Sequence, residues 1–371
     1  MINVEKSVNM MRLKSTRSLK QGAILAQPIY NERGHILIQR DMHLTLTMIR
    51  RLINQGITYV YVKDETNNFV EFNSVIPNEL RVKATNVIKN TFDELKENPI
   101  TEKAYILESK GNQLSAVVKD IVGEMKNKDE AVSLLTDILI SDDYTFQHSL
   151  NVTIYSLAIG TKLKMSEKEL ADLGVGAMLH DIGKIFIDKD ILQKSDRLTD
   201  EEFKVMKSHT QLGFDFIRKM TDLPAVVAHC AYQHHERLDG SGYPRGMKGN
   251  GIHKYAKIIG IADVFDAITS NRVYREAMLP HVGLEILYAG AVNIFDRDMV
   301  EAFKGSIVAY PNGLTVELND YRTGVVVKQN KHICDRPIVE IISESNEQLK
   351  TPYQVDLSKE MNLTIIACLV D

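Results

Sequence analysis

Apolar and polar residues follow two different patterns at the start of the chain. The run ILAQPIYNERGHILIQ places the turn residues Asn31–Gly34 between two apolar stretches, which predicts a β-hairpin. LTLTMIRRLINQG then shows helical spacing and stops at Gly56, and GITYVYVKD alternates as a strand does. We therefore predict a small α+β module over residues 1–65.

Helical spacing dominates the next segment, residues 77–127. In NELRVKATNVIKNTFDELKEN, apolar residues recur at three- and four-residue intervals with charged residues between them. Two interpretations fit this periodicity equally well: a connecting helix that forms a homodimer, or a helix that packs within the monomer. We predict a helical connector with a possible role in dimerisation and keep the second interpretation open.

The rest of the chain divides into a long helical segment and a β-rich end. Within residues 129–310, Ser166 with Glu169 and Thr199 with Glu202 form capping boxes, and each opens an amphipathic run. Five short strand-like runs follow in residues 311–371, which are LTVELND, TGVVVKQN, RPIVEIIS, TPYQVDL and LTIIACLV. The predicted fold class is mainly α: a helical domain between a small N-terminal α+β module and a C-terminal β-rich extension.

Charge and cysteine usage narrow the class of protein. The 371 residues carry a net charge of −4, so a nucleic-acid duplex is not the expected main partner. Cys230, Cys334 and Cys368 lie far apart, which is typical of a reducing compartment rather than of a disulfide framework. No apolar run has the length of a membrane helix or of a secretion signal. We therefore expect a cytoplasmic protein without membrane insertion.

Residues that can bind metals are concentrated in the helical segment. A buried imidazole or carboxylate needs a partner or a metal, because burying it alone is costly. For one such histidine, a hydrogen-bonded core residue is the better interpretation. Several together favour a shared metal site. Seven of these residues interrupt runs that otherwise look like core: His148, His180, Asp181, His209, His234, His235 and Asp263.

The types and the number of these ligands indicate the metals. Histidine and carboxylate without thiolate suit iron, manganese, zinc, cobalt or nickel. An aspartate can bridge two cations, as two-metal phosphoryl chemistry requires, and seven ligands are too many for one tetrahedral zinc with an open position. We predict two divalent cations per chain, with iron or manganese as the first choice.

Three cationic side chains point to an anionic substrate at this site. Lys184 follows His180 by four positions, which predicts that both project from one helix face. Arg272 and Arg275 lie in TSNRVYRE, and guanidinium groups match phosphate oxygens in shape and charge. The alternative for these arginines is a solvated helix end, so their role depends on the metal site.

These motifs, in this order, resemble the HD-GYP family, a subgroup of the HD metal-dependent phosphohydrolases. The HD pair is His180-Asp181 in MLHDIGK, and the GYP tripeptide is Gly242-Tyr243-Pro244 in HHERLDGSGYPRG. The resemblance continues through HSLNV, LTDEEFKVMKSH and ADVFDAITSNRVYR. A lone HD pair would be a weak indication, whereas this combination is specific.

The resemblance implies an all-helical hydrolase that opens cyclic di-GMP to linear pGpG and, in some members, to GMP. It implies that the seven residues are the metal ligands and that Asp181 bridges two metals. Lys184, Arg272 and Arg275 match positions that contact substrate phosphates, and the loop with Gly242 and Tyr243 would border the substrate pocket. Asp181 and Lys184 are therefore the predicted catalytic residues. A homodimer is also expected from the family.

One position departs from part of the family. Members with three metals have a glutamate four residues before the first histidine ligand, and this chain has Tyr144 there. A tyrosine is a poor substitute for a bridging carboxylate at neutral pH. A third metal is therefore not expected.

Other functions and roles stay open at this point. The chain could be a cyclic-dinucleotide sensor that retains the pocket, or a phosphodiesterase for another cyclic dinucleotide such as cyclic GMP-AMP. The complete ligand set favours catalysis, because a receptor has little need of all seven. We further expect Glu236 to orient a metal ligand and Cys230 to be a buried, inert thiol.

Overall fold

The structure is a computed structural model of the chain. It describes residues 11–31, 36–63, 75–98, 100–128, 139–140, 144–192, 194, 196–219, 223–270, 277–291, 293–330, 333–345 and 347–370.

Helices occupy the middle of the chain and strands occupy its two ends. The α-helices in the described residues are α1 Leu46–Asn54, α2 Asn78–Glu97, α3 Ile100–Lys128, α4 Tyr144–Lys162, α5 Glu167–Met178, α6 Lys189–Leu192, α7 Asp200–Lys207, α8 His209–Ile217, α9 Ala225–Gln233, α10 Lys254–Thr269, α11 Pro280–Gly290 and α12 Arg297–Lys304. The strands are β1 Met11–Ser15, β2 Ile29–Asn31, β3 Ile36–Ile38, β4 Tyr59–Lys63, β5 Leu139–Ile140, β6 Thr315–Leu318, β7 Thr323–Lys328, β8 Ile338–Glu344, β9 Glu347–Asp356 and β10 Ile365–Leu369.

The N-terminal module combines two strand pairs with one helix. β1 pairs antiparallel with β4, and β2 pairs antiparallel with β3, which confirms the strands of the predicted hairpin. The hairpin turn, residues 32–35, lies outside the described residues. Thr45 caps α1, which buries Ile49 and Leu52 in a small core with the strands. β2 also pairs in parallel with the short β5, a strand that lies within the segment expected to be almost wholly helical.

The connector packs inside the monomer. α2 and α3 run antiparallel, as the ion pairs of Lys83 with Asp120 and of Lys110 with Glu94 show, each with a nitrogen–oxygen distance of 2.7 Å. The apolar face of this helix pair joins the main helical core, where residues such as Phe92 are buried. The second interpretation of this segment therefore applies. The predicted homodimer stays a prediction, and this apolar face does not supply its interface.

Two buried helices form the centre of the helical domain. Every residue of α4 from 148 to 160 is buried, and most residues of α10, which packs against it, are buried as well. A helix that is apolar on all sides belongs in a core. Both predicted capping boxes are present at the starts of α5 and α7. Of the helices that the structure describes, none is long and apolar enough to cross a bilayer.

The C-terminal strands form one antiparallel sheet in the order β10-β6-β7-β8-β9, which confirms the predicted β-rich extension. This sheet does not stand alone. Leu13 and Tyr61 of the N-terminal module share a buried core with Leu314 and Val316. The backbone amide of Ser15 also donates to the carbonyl of Val370 at 2.7 Å. The two ends of the chain therefore pack on each other. The domain boundaries at 1–65, 77–127, 129–310 and 311–371 stay predictions.

Candidate metal centre

The HD pair lies where a helix ends and a tight turn begins. α5 ends at Met178, and Asp181 precedes a 3₁₀ helix over Ile182–Phe186. Gly183 lets this turn contact the start of α8, because a Cβ atom there would overlap the carbonyl oxygen of His209. The close approach leaves 3.4 Å between His209 Nε2 and Asp181 Oδ1.

Lys184 lies at the site on a different element from the predicted one. The prediction that His180 and Lys184 share a helix face is wrong, because α5 ends before His180 and the 3₁₀ helix redirects the chain. Lys184 Nζ nevertheless lies 2.5 Å from Asp181 Oδ2. Its ammonium group is therefore part of the site.

His148, His180 and Asp263 form one group of ligands, with their donor atoms within 4.8 Å of one another. His148 lies on α4 and Asp263 on α10, and 3.2 Å separates His148 Nε2 from Asp263 Oδ1. Asp181 faces this group with Oδ2, which lies 3.3 Å from His180 Nε2 and 3.7 Å from His148 Nε2. The crossing of α4 and α10 therefore brings together residues far apart in the sequence.

A second group consists of Asp181, His209, His234 and His235, again with donor atoms within 4.8 Å. Asp181 faces it with the other oxygen, Oδ1, which lies 3.4 Å from His209 Nε2 and 3.8 Å from His234 Nε2. His235 Nδ1 lies 3.6 Å from Oδ2 of Asp263. The structure thus brings all seven predicted ligands together, with Asp181 between the two groups.

Backbone carbonyl groups hold three of the imidazole rings. The Nδ1–H groups of His180, His209 and His234 donate to carbonyls of the preceding turn at 2.7, 2.7 and 3.0 Å. Each ring therefore keeps its proton on Nδ1 and presents the Nε2 lone pair to the centre. A histidine that binds a metal is typically oriented in this way.

The buried polar atoms of the centre test whether a metal fits. Nε2 of His180 and Oδ1 of Asp181 are buried and have no hydrogen-bond partner among the described residues. Leaving buried polar atoms unsatisfied is costly. A cation between the imidazole nitrogens and carboxylate oxygens would satisfy both, and this donor set suits a divalent transition metal. The residues present therefore fit a metal site.

The electrostatics favour most ligands in their metal-binding forms. Burial works to raise the pKa of Asp181, but Lys184 and the adjacent His180 hold it well below its usual range. Burial lowers the pKa of His209 and of His234, and it lowers the pKa of His235 to about 3. An ionised carboxylate and neutral imidazoles are the states that bind cations.

Asp266 is a buried residue of the centre that the sequence analysis missed. Its Oδ2 accepts a hydrogen bond of 2.7 Å from His148 Nδ1, and its Oδ1 accepts bonds from Asn151 and Ser270 at 2.8 and 2.9 Å. Burial works to lower the pKa of His148, but its hydrogen bonds with Asp263 and Asp266 raise it to about 9. The spacing could have revealed Asp266, because it lies three residues after Asp263 on the same helix.

The GYP loop lies directly against the second group of ligands. A Cβ atom on Gly242 would lie 2.5 Å from both the Arg237 nitrogen and Glu236 Cα, so only glycine fits there. The ring of Tyr243 faces the ring of His235, with 4.6 Å between centroids and 31° between planes. Gly242 and Tyr243 therefore border the centre.

Glu236 holds this loop rather than a metal ligand. Its two carboxylate oxygens accept hydrogen bonds from the backbone amides of Arg245 and Met247, each at 2.8 Å. The prediction that Glu236 orients a ligand is wrong, because both of its oxygens face the loop. The Glu236 carboxylate instead holds the loop next to His235, the residue that precedes Glu236 in the sequence.

The remaining predicted positions fall outside the centre or outside the described residues. Arg272 and Arg275 lie in residues 271–276, which the structure does not describe, and the side chain of Tyr144 is likewise not described. Cys230 is fully buried, as predicted, and burial raises the pKa of its thiol. His253 caps the start of α10 through its Nδ1.

Comparison with known families decides the class. Residues 133–299 match the model described as an HD domain, and residues 315–370 match a KOW domain associated with HD domain. The chain therefore contains an HD domain over residues 133–299. The predicted resemblance is thereby confirmed, and the HD domain coincides with the helices that carry the seven ligands.

Relatives of the HD domain support this assignment. The chain is 31% identical over 241 residues to the cyclic di-GMP phosphodiesterase PA4108 of Pseudomonas aeruginosa, covering 65% of this chain and 58% of the relative. It is 33% identical over 227 residues to the cyclic di-GMP phosphodiesterase response regulator RpfG of Xanthomonas campestris, covering 61% and 58%. The chain thus spans about three-fifths of these curated relatives.

A solved structure supports the fold class. Bd1817, an HDG"Y"P protein from Bdellovibrio bacteriovorus, matches with a TM-score of 0.51 and 16% identity over 79% of this chain and 98% of that chain. At this identity the likeness concerns the fold alone. It confirms the predicted mainly helical HD-type architecture.

Proposed function

We propose that the chain is a metal-dependent phosphodiesterase that hydrolyses cyclic di-GMP to linear pGpG. One observation carries the proposal: Asp181 presents one carboxylate oxygen to each of two groups of histidine ligands. Two-metal hydrolysis of phosphodiesters uses a pair of closely held cations, and a shared carboxylate can hold them. The relatives named as cyclic di-GMP phosphodiesterases support this substrate.

Two divalent cations would bind per chain in this proposal. His148, His180 and Asp263 would hold one, and His209, His234 and His235 the other, with Asp181 between them. Imidazole and carboxylate without thiolate favour iron or manganese, with zinc, nickel and cobalt as alternatives. When bound, such cations polarise the phosphodiester and lower the pKa of a water molecule.

The chain's own residues then have separate tasks. Water attacks a phosphorus atom and gives up a proton, the bond from phosphorus to the ribose oxygen breaks, and that oxygen takes up a proton in turn. Lys184 places its ammonium group beside Asp181, where it stabilises the negative charge that develops on the phosphate oxygens. The carbonyl groups that hold His180, His209 and His234 keep these rings in place, so they need no rearrangement during the reaction.

Other residues would bind the substrate. We assign Arg272 and Arg275 to the second phosphate, because guanidinium groups bind phosphate oxygens through paired hydrogen bonds. Gly242 and Tyr243 line the pocket next to His235. A homodimer is also part of this proposal, through a surface other than the buried face of α2 and α3.

Cyclic GMP-AMP is the second candidate substrate. Two relatives from Vibrio cholerae are named 3′3′-cGAMP-specific phosphodiesterases, and one of them is 34% identical over 172 residues, covering 46% of this chain and 37% of the relative. A catalytically weak sensor is the alternative in another class of function. The convergence of seven ligands favours an enzyme over a sensor.

The test is metal content and hydrolysis measured on the same protein. The chain would be purified without oxygen, its metals measured, and its products from cyclic di-GMP followed by chromatography with added Mn²⁺ or Fe²⁺. Asp181→Ala is expected to lose bound metal and to lower hydrolysis more than about 100-fold, since removing a ligand costs more than removing its supporting residue. Asp172→Ala is the control for the chemical change, because Asp172 lies on α5, close to Asp181 in the sequence but outside both ligand groups.

Three outcomes are informative. Hydrolysis that Asp181→Ala leaves intact would overturn the assignment of the centre. Preferred hydrolysis of cyclic GMP-AMP would replace the substrate but keep the chemistry. Tight binding of cyclic di-GMP without turnover, under every metal condition, would identify a sensor.

A further inference from the structure

An exposed aromatic residue lies close to the metal centre. Phe203 on α7 is a large apolar side chain, yet 43% of it is exposed. Its ring faces the ring of Tyr243 edge-on, with 6.4 Å between centroids. Tyr243 in turn contacts His235, one of the seven ligands. These three rings form a continuous path from the centre to the solvent.

Lys207 covers the outer part of this path. It follows Phe203 by one helical turn on α7, and its Nζ lies 4.5 Å from the Phe203 centroid and 5.3 Å from the Tyr243 centroid. No carboxylate in the described part of the chain forms an ion pair with it, whereas nearby Lys194 pairs with Glu202 at 2.6 Å. Its positive charge is therefore available to a ligand that reaches these rings.

We propose that Phe203, Lys207 and Tyr243 form a base-binding subsite for one purine of the substrate. The base stacks on Phe203, and the Lys207 ammonium donates hydrogen bonds to its edge. This inference rests on the proposed function, because it assumes that a cyclic purine dinucleotide places a phosphate at the metal centre. A base attached to that phosphate through its ribose then extends outward along the path of rings.

The chemistry of the two side chains predicts which base is preferred. Aromatic side chains stack on any base, so Phe203 contributes affinity without selectivity. Guanine presents two adjacent acceptors, O6 and N7, to a lysine, whereas adenine presents an amino donor beside N7. Lys207 is therefore a specificity-determining residue for guanine.

The same helix offers matched controls. Val205 has the same exposed fraction as Phe203, 43%, but lies two residues away and so on a different side of α7. Lys204 is an exposed lysine next to Phe203 for which the described residues show no contact with the Tyr243 ring. Lys204→Met therefore repeats the change of Lys207→Met outside the subsite, and Val205→Ala alters an equally exposed apolar side chain there.

The experiment measures KM and kcat of the full chain, loaded with Mn²⁺, for cyclic di-GMP. Cyclic di-AMP is measured as a substrate or as a competitive inhibitor. Phe203→Leu keeps an apolar side chain but removes the ring. We expect its KM for cyclic di-GMP, and its KM or inhibition constant for cyclic di-AMP, to rise about tenfold, equivalent to about 1.4 kcal/mol. Lys207→Met should raise KM about tenfold for cyclic di-GMP only, with little change in kcat.

Two results would overturn the subsite. Phe203→Leu could behave like Val205→Ala, which would show that the ring does not bind a base. Lys207→Met could weaken both dinucleotides equally, which would show that the lysine binds phosphate and does not select guanine. Unchanged circular dichroism spectra of the variants would establish that they are folded.

Failure of the proposed function gives a different pattern. If the wild-type chain hydrolyses bis(p-nitrophenyl) phosphate but neither hydrolyses nor binds a cyclic dinucleotide, the proposed substrate is wrong. If the wild-type chain hydrolyses cyclic di-GMP and the Phe203 and Lys207 variants match their controls, only the subsite is wrong.

Discussion

Replacing Asp266 with asparagine tests how the first group of ligands is held. Asp266 is fully buried and accepts hydrogen bonds from His148, Asn151 and Ser270. Asparagine has the same shape as aspartate, but an amino group replaces one of the two carboxylate oxygens. That amino group must face a donor, His148 Nδ1 on one side or Asn151 Nδ2 on the other. One hydrogen bond is therefore lost whichever way the amide turns.

The expected magnitude follows from this geometry. A hydrogen bond to a charged group contributes about 1.5–3 kcal/mol, so we expect the free energy of unfolding of the metal-free protein to fall by about 2 kcal/mol. Full burial of Asp266 means that solvent does not screen this loss. His148 also loses the partner that fixes its ring, and the loss of such a partner weakens metal binding by about 10- to 100-fold.

The assay combines two measurements on the same variant. Metal affinity is measured by competition with a fluorescent chelator, and stability by denaturant unfolding in the presence of EDTA. Asp172→Asn, on α5 and outside the ligand groups, is the control for the chemical change. If Asp266→Asn bound metal as tightly as the wild type and unfolded at the same denaturant concentration, the inferred role of Asp266 would be refuted.

Three further predictions follow from other parts of the structure. Gly242→Ala should displace the GYP loop, because the new Cβ atom would lie 2.5 Å from the Arg237 backbone nitrogen. We expect kcat/KM to fall at least about tenfold while the helical circular dichroism is retained, and unchanged kinetics would contradict this. Removal of metal by EDTA should lower Tm, and added Mn²⁺ should restore it, since a ligand at about 100 times its Kd stabilises the folded state by about 2.7 kcal/mol. A Tm that does not respond would argue against a metal that stabilises the fold. Asp356 accepts hydrogen bonds from Ser358 and Asn330, which lower its pKa from 3.8 to about 2, so it stabilises the fold above pH 4 and this contribution is lost as the pH falls towards 2. The stability difference between the wild type and Asp356→Asn should therefore shrink over that range, and a difference independent of pH would exclude this cause.

The candidate ligands could be selected from the sequence because each one interrupts a local pattern. His148 and Asp263 are ionisable groups within largely apolar helices, and such interruptions are visible without any structure. The capping boxes and the C-terminal strands were equally predictable, because capping and alternation depend on neighbouring residues. The convergence of these ligands from different helices required the family resemblance.

The features that were missed depend on contacts that local patterns do not contain. α5 ends before His180 and the following turn packs tightly against α8 at Gly183, so spacing alone placed Lys184 on the wrong element. The three-residue spacing from Asp263 indicates that Asp266 shares its helix face, but the burial of Asp266 and its hydrogen bond with His148 are visible only in the fold. Glu236 was close to the ligands in sequence, but the folded loop captures both of its oxygens.

The packing of the two chain ends has a consequence for the order in which the protein is made. The strand that begins at Met11 packs in a shared core with residues beyond 313, and the backbone amide of Ser15 donates a hydrogen bond to the carbonyl of Val370. The N-terminus of a nascent chain leaves the ribosome first, and helical regions with local contacts fold faster than regions that depend on distant pairings. The helical domain can therefore form during synthesis, while the first strand waits for the last one to emerge. Until then, Leu13 and Tyr61 are exposed to chaperones and to neighbouring nascent chains.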